Sequence, residues 1–474
     1  MSAGGWPATR YAWITLGLLL LGLALRTYHY LRQPPVWHDE ASVVVNVLDK
    51  DYIELLGPLR FDATGPPLFL WAERAVYLTL GESTLALRLL PFLASCGSLL
   101  LITWLARRLL TPAAVPWAVL FFGCSEQMLW HTCEAKPYAI DAFVAVFLVS
   151  VFFMLVDRPL TLRIVVLTLL APVALLVSYP AALVYGGLLA ALTAESWREW
   201  RRPVWLWLAG LTAVVAVCVG GLALGPGRAQ ETAALDRTWT NLFPDWQRPW
   251  TVPGWEQVSF LEVCRYCFKP LGQTLPVPLL IGVVGLWRGG RRDVVLVLGM
   301  PVVFALLAAL AHRYPFGGAR VMAYGVPGLV LLGAAGVPSM LAWVWARFRP
   351  AIIVVVLPSI LAVAVACQRV IFPWPVADAA GAAQFVEANR LASDVVIGND
   401  WTHAYYFHRL GAHFIAAGGG VAPDANRVWI VVTTGNDESR ENRLHMAMGL
   451  VPPDWTPMPV AEFHLTTVVL ASRP

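Results

Sequence analysis

"PPLFLWAERAVYLTL", Pro66–Leu80, is the stretch on which the topology turns. It is apolar enough to pass for a membrane span, yet Glu73 and Arg74 sit side by side at its centre and it runs for about 15 residues. A helix needs about 20 to cross the hydrocarbon core. Charge in the middle of a short apolar helix fits one lying in the interface, polar groups turned to the headgroups. That reading leaves eleven candidate spans: 12–29, 85–105, 113–130, 138–156, 164–179, 181–194, 204–224, 274–287, 294–311, 321–345 and 351–371. With the N-terminus inside, the short inner loops then carry Arg107 and Arg108; Arg158 and Arg163; Arg198, Arg201 and Arg202; Arg288, Arg291 and Arg292; and Arg347 and Arg349. Each loop obeys the positive-inside rule. The outer loops are longer, richer in acids and Trp, and hold all three lysines, Lys50, Lys136 and Lys269.

Composition points the same way. Of 474 residues, 58% are hydrophobic and 14% charged, which suits a polytopic membrane protein and not a single water-soluble core. The net charge of +4 is mostly this topological arginine, so it is no argument for nucleic acid. The first apolar run lacks a small-residue cleavage site and reads as an uncleaved anchor. Seven cysteines are an odd number, which rules out a complete disulfide framework. Cys264 and Cys267 form a C-x-x-C without the second pair that a zinc site needs.

The expected fold is mainly α: a bundle of about eleven spans with juxtamembrane helices over residues 1–371, its first outer loop at 32–84, followed by a small outer α/β domain over 372–474. In the tail, "ADAAGAAQFVEANRLA" and "THAYYFHRLG" have helical patterns, while "DVVIG", "RVWIVVTT" and "HLTTVVLAS" read as strands. Gly418, Gly419 and Gly420 read as a flexible turn rather than a phosphate loop. A further outer loop, about 225–272, is rich in Pro, Gly and Trp. No Walker or Rossmann fingerprint stands on the inner side, so ATP-driven transport has no support.

Polar groups at membrane depth are costly and tend to serve a function. Here they collect on the outer side: Asp39 and Glu40, Asp62, Glu73, Arg74 and Arg88, then Glu126, His131, Glu134, Lys136 and Asp141, then His312, Arg313, Arg320 and Tyr324. Each has a plain structural reading as well. Asp39 can be an N-cap and helix-dipole carboxylate for the run that follows. Glu134 and Lys136 can be a local ion pair at the outer surface, with Asp141 one turn deeper, although a buried Asp at the start of a span is harder to explain that way. Arg313 and Arg320 stand at headgroup height, where basic groups bind lipid phosphates or simply anchor. Trp239, Trp246, Trp250 and Trp255 suit an aromatic belt better than sugar stacking.

In order, "WHDE" (Trp37–Glu40), the stretch from Gly65 to Leu110, "EAKPYAIDAF" (Glu134–Phe143) and "RYPFGGARVMAYGVPGLVLL" (Arg313–Leu332) resemble the GT-C superfamily of membrane glycosyltransferases, in its protein O-mannosyltransferase and aminoarabinose transferase branch. The resemblance implies transfer of a sugar from a polyprenyl-phosphate carrier to an acceptor on the outer face. It implies that Asp39 is the catalytic carboxylate with Glu40 its neighbour, that Glu134 or Asp141 is a second acidic position, and that Tyr324, Arg320 and Arg313 lie by the phosphate. Members often place His or Lys just before the Pro of "PPLF"; here that residue is Gly65, which leaves Arg74, Arg88 or Lys136 to supply the cation.

The chemistry is consistent with that implication. A tail-anchored sugar phosphate is already positioned at the bilayer surface, a carboxylate can take the proton of an attacking hydroxyl, and cations stabilise the departing phosphate. One base and one displaced phosphate predict inversion at the sugar carbon. Asp39, Glu40 and Glu134 or Asp141 could share a divalent cation, but the branch implied is largely metal-independent, so no metal or cofactor is expected. The expected setting is a multi-pass protein of a bacterial inner membrane, with a periplasmic site, a lipid-linked donor, and a protein, lipid or glycan acceptor. The competing readings are a secondary transporter or flippase, which the absence of visible internal repeats disfavours, and an assembly scaffold.

Overall fold

The computed structural model describes residues 8–199, 202–231, 239–269, 271–347, 353–373, 376–416, 426–435, 438–451 and 455–473. The chain divides into two compact units. One takes the segment through Arg32, Gly65–Glu73 and Arg88–Phe372; the other takes Gln33–Thr64, Arg74–Leu87 and the chain from Pro373 on. The segments of the first outer loop outside Gly65–Glu73 thus pack with the C-terminal residues.

The first unit is a helical membrane body, and the chain is an integral, multi-pass membrane protein. Six of the described helices are long and apolar enough to cross a bilayer, Thr9–Leu31, Leu89–Leu109, Leu160–Val177, Val204–Ala229, Arg292–Leu310 and Arg320–Arg347. Four shorter apolar helices accompany them, Tyr138–Met154, Ala181–Trp197, Pro276–Arg288 and Val356–Ile371. At one end of the body Arg108 pairs with Asp157 at 2.7 Å and Arg163 with Glu195 at 2.7 Å, so loops expected on the inner face meet there. Helices Pro276–Arg288 and Val326–Arg347 approach through Gly282 and Gly336, where a Cβ on either would run into the opposing backbone, the small-residue contact that substitutes for a hydrophobic driving force in lipid.

The expected span at 113–130 differs. Helix Val115–Gly123 is only 9 residues long, and a short helix, Glu126–His131, follows, capped by the Ser125 side chain. The break is stabilised from outside. Fully buried Arg26 donates to the carbonyls of Gly123 at 3.0 Å and Phe122 at 3.2 Å, and to Ser95 Oγ at 2.9 Å. Ser95 Oγ in turn lies 2.8 Å from Thr132 Oγ1. A helix end in an apolar setting needs partners for its last carbonyls, and Arg26 supplies them.

The second unit is built on a five-stranded sheet of order β2-β1-β3-β5-β4, with β1 Val395–Gly398, β2 Phe414–Ala416, β3 Arg427–Thr433, β4 Thr456–Phe463 and β5 Thr466–Ser472. β1 pairs parallel with β2 and β3; β5 pairs antiparallel with β3 and β4. Alternate β3 residues feed two cores. Val428, Ile430 and Val432 pack with Ala447 and Trp455; Trp429 and Val431 pack with Ala382, Val386 and Phe407. Helices Arg440–Met448 and Ala379–Asn389 therefore belong to opposite faces, as the two-residue period of a strand requires. β2, β4 and helix Arg440–Met448 were not expected; Gly418–Gly420 lie outside the described residues.

The first-loop segments dock on this fold. Helix His38–Asp49 packs against Trp401–Tyr406, the Val36 amide donates to Tyr406 Oη at 2.9 Å, and Glu82 pairs with His408 at 3.0 Å and with Arg409. Pro67–Leu80 is a helix, as read.

Candidate active site

In the second unit, Trp37–Glu40 turns into helix His38–Asp49, with Asp39 and Glu40 in its first turn and no side-chain cap from Trp37. Both carboxylates favour the positive end of the helix, but they differ in access: Glu40 is fully buried, whereas Asp39 is half-buried. His38 is held on two sides. Its Nδ1 lies 2.7 Å from Asp400 Oδ2, and its ring stacks on Trp401 with centroids 3.9 Å apart. Burial pushes the Asp400 carboxyl up, but the His38 hydrogen bond and charge and the Thr402 hydrogen bonds outweigh that and hold it at about 2.

Arg74 is one of the three cations expected to serve the phosphate. Its Nη1 donates at 2.7 Å to the carbonyls of both Val47 and Leu48, which closes the C-terminal end of helix His38–Asp49, where a cation is favoured by the dipole. Asn46, fully buried, pins the following loop by exchanging hydrogen bonds with the Arg60 backbone at 2.8 and 3.0 Å.

In the first unit, the chain leaving Glu126–His131 makes a turn and re-enters helix Tyr138–Met154 after Pro137. That turn holds a buried polar chain. His131 Nδ1 is 2.7 Å from Glu134 Oε2, and His131 Nε2 is 2.6 Å from Tyr266 Oη. Glu134 is 1% exposed, His131 3%, Tyr266 3% and Lys136 5%. Glu134 and Lys136 are therefore not at the surface, as the sequence reading had them. Tyr266, on helix Val252–Cys267, brings the long outer loop onto them. Burial pushes the Tyr266 hydroxyl well above its ordinary range, so it keeps its proton.

Asp141 is buried in the first turn of its helix, and its Oδ1 accepts from Ser178 Oγ at 2.6 Å. Next to Ser178, Tyr179 donates to the Gly65 carbonyl at 3.0 Å, and the Gly65 amide donates to Gln230 Oε1 at 3.0 Å. Tyr324 is buried edge-on to Tyr314 at 6.1 Å. The Arg320 guanidinium lies over the rings of Tyr138 and Trp239, at 5.5 and 5.9 Å, a geometry that orients the cation through the ring quadrupole. Arg88 is buried at the start of Leu89–Leu109; Arg313 is exposed and does not share that burial.

The structure thus brings buried Glu134, Lys136, Asp141 and Tyr324 and half-buried Arg320 into one polar region of the body. Asp39, Glu40 and Arg74 belong to the second unit. An apolar cavity of about 420 Å³ adjoins that region, lined among others by Phe69, Leu93, Ile140, Phe143, Phe147 and Val173. Ile140 and Val177, which line it, are the chain neighbours of Asp141 and Ser178. Tyr266, Gln230, Ser178 and Tyr179 were not singled out in the sequence; nothing local to "CRYC" or "VSYP" ties them to residues 65–141. Cys264 and Cys267 are buried free thiols, and among the described residues no cluster of His, Cys, Asp and Glu is grouped to hold a metal ion.

Residues 64–221 match a family profile described as dolichyl-phosphate-mannose-protein mannosyltransferase. The fold is shared with ArnT from Cupriavidus metallidurans in its apo state, at a TM-score of 0.57 and 15% identity over 96% of this chain and 98% of that one. The same protein bound to undecaprenyl phosphate superposes with a TM-score of 0.55 and 15% identity, over 98% and 97%. No curated protein sequence matches the chain. The architecture is the GT-C one, over nearly the whole length.

Proposed function

We propose that this chain, whose fold is that of the GT-C membrane glycosyltransferases, transfers a sugar from a polyprenyl-phosphate carrier to an acceptor at the outer face of the membrane. The observation that carries the reading is that one helix of the body, Tyr138–Met154, contributes both to an apolar groove and to a polar region that holds buried carboxylates, a lysine and a ring-stacked arginine. A lipid-linked sugar phosphate has that polarity: a hydrocarbon tail, then a phosphate, then hydroxyls. The profile match over residues 64–221 covers most of these groups.

Asp39 is the base in this reading. It is the more accessible of the two adjacent carboxylates, and it takes the proton of the acceptor hydroxyl as oxygen attacks the anomeric carbon. The carbon–oxygen bond to phosphate breaks, the lipid phosphate leaves with the electron pair, and the sugar inverts. Arg320 and Lys136 stabilise the charge on the leaving phosphate in this reading; Arg74 is already engaged at the end of helix His38–Asp49. The site faces the periplasm of a bacterial inner membrane, and no metal takes part.

The test is to incubate the purified protein in detergent with polyprenyl-phosphate-linked sugars and an acceptor panel, and to follow release of free lipid phosphate. Release that depends on Asp39 supports the reading. Transport of the intact lipid-linked sugar across vesicles without its cleavage would replace the reading with a flippase.

A further inference from the structure

One oxygen in the buried polar chain is unaccounted for. Glu134 Oε2 is held by His131, but Glu134 Oε1 is fully buried and has no hydrogen-bond partner among the described residues. A buried carboxylate oxygen left without a donor is costly, and a folded protein that keeps one usually has a use for it. The rest of the chain shows that the oxygen is held in place. A carboxylate only accepts, so His131 must offer Nδ1–H to it. In the neutral imidazole Nε2 is then the acceptor, and Tyr266, which keeps its proton, donates to it at 2.6 Å. Carboxylate, imidazole and phenol form a chain of one polarity, and its last member comes from a segment 135 residues away in sequence. Oε1 is the open end.

We propose that Glu134 Oε1 receives a hydroxyl of the carried sugar, and that His131 and Tyr266 are its positioning residues. The proposal rests on the reading of the donor as a lipid-linked sugar. The chemistry selects which part of such a donor belongs there. An acceptor-only oxygen attracts an O–H donor and repels a phosphate, so Glu134 reads the sugar end, while the cation of Arg320, over Tyr138 and Trp239, suits the phosphate end. His131 packs on Tyr138 with ring centroids 5.1 Å apart, so both groups border the same aromatic ring.

The test compares binding of undecaprenyl phosphate with binding of undecaprenyl phosphate mannose, glucose and galactose, in detergent and without acceptor. Wild type is expected to prefer at least one sugar-bearing lipid over the bare one. Glu134→Gln keeps the shape of the side chain and is expected to lose that preference by about tenfold or more, the weight of a hydrogen bond to a charged group, with bare-lipid affinity unchanged. Tyr266→Phe is expected to lower the preference by a smaller factor in the same direction, again sparing the bare lipid, which serves as the internal check on folding. Equal loss of both affinities, an unchanged preference, or no preference in wild type overturns the proposal and leaves the transferase reading standing. Failure of wild type to bind any of these lipids overturns that reading and the proposal with it.

Discussion

The guanidinium of Arg26 lies 3.0 Å from the carbonyl of Gly123, 97 residues away, and the same group binds the Phe122 carbonyl and Ser95 Oγ. This contact ends helix Val115–Gly123 within the body and frees the chain to build the His131–Glu134 turn. Arg26→Met would strand the buried Gly123 carbonyl and leave the Phe122 carbonyl to backbone donors such as the Ser125 amide, at a cost of roughly 1–3 kcal/mol by the unsatisfied-group penalty. Thermal unfolding in detergent should show the loss, and Arg26→Lys, a point charge without the planar fork, should recover only part of it. Unchanged stability in Arg26→Met would remove Arg26 as the reason for the break.

Asp39→Asn should reduce transfer by about 100- to 10,000-fold, the range for a lost general base, with folding and donor binding intact. Glu40→Gln, at a fully buried position, should show itself in stability. The product of the wild-type enzyme should have the inverted anomeric configuration; retention, read by NMR, rejects the single displacement.

Arg74 and Arg320 should separate by readout. Arg74→Gln opens the end of helix His38–Asp49 and should cost about 1 kcal/mol while leaving donor KM in place. Arg320→Gln should raise donor KM or lower kcat with little change in unfolding temperature. The opposite pattern would reverse the two assignments.

The groove can be filled without touching polar groups. Ala72 lines it, and Ala72→Trp should weaken binding of long-chain undecaprenyl phosphate while sparing a short-chain polyprenyl phosphate, measured side by side. Equal weakening would place the tail elsewhere.

The C-terminal fold carries a pH dependence with a definite sign. His403 is fully buried, its Nδ1 accepts the Asp400 amide at 3.3 Å, and its Nε2 is 3.0 Å from Thr433 Oγ1. Burial lowers the imidazole to about 4, with Asp400 opposing and His38 adding to the shift. Between that value and the ordinary 6.5 the unfolded chain holds the extra proton, so stability is complete above about 6.5 and falls as pH drops toward 4, by about 3 kcal/mol at the limit. Hydrogen exchange of the Val428–Val432 amides in the full protein should accelerate over that window, and His403→Gln should flatten the slope.

Much of this was legible one residue at a time. Length, hydropathy and arginine placement are local properties, so the helical body, the helix within Pro66–Leu80 and the strands Val395–Gly398, Arg427–Thr433 and Thr466–Ser472 could be read directly. Strand Thr456–Phe463 could not: Pro457 and Pro459 argue against a strand, and only its place at the sheet edge tolerates them. The early stop at Gly123 is equally invisible, because an apolar run continues through it and the group that ends it is Arg26.

The same distinction runs through the candidate site. The linear chain was enough to show that acids and cations gather in a few segments between the apolar runs, because the cost of charge in hydrocarbon acts on each residue where it stands. Which of them share a hydrogen bond was a matter for the folded molecule alone: Arg74 with the end of helix His38–Asp49, His131 with Tyr266, Gly65 with Gln230. Those pairings depend on distances across the bundle, and a hydrogen bond exists only within a few tenths of an ångström of contact, a condition that spacing along a chain does not encode.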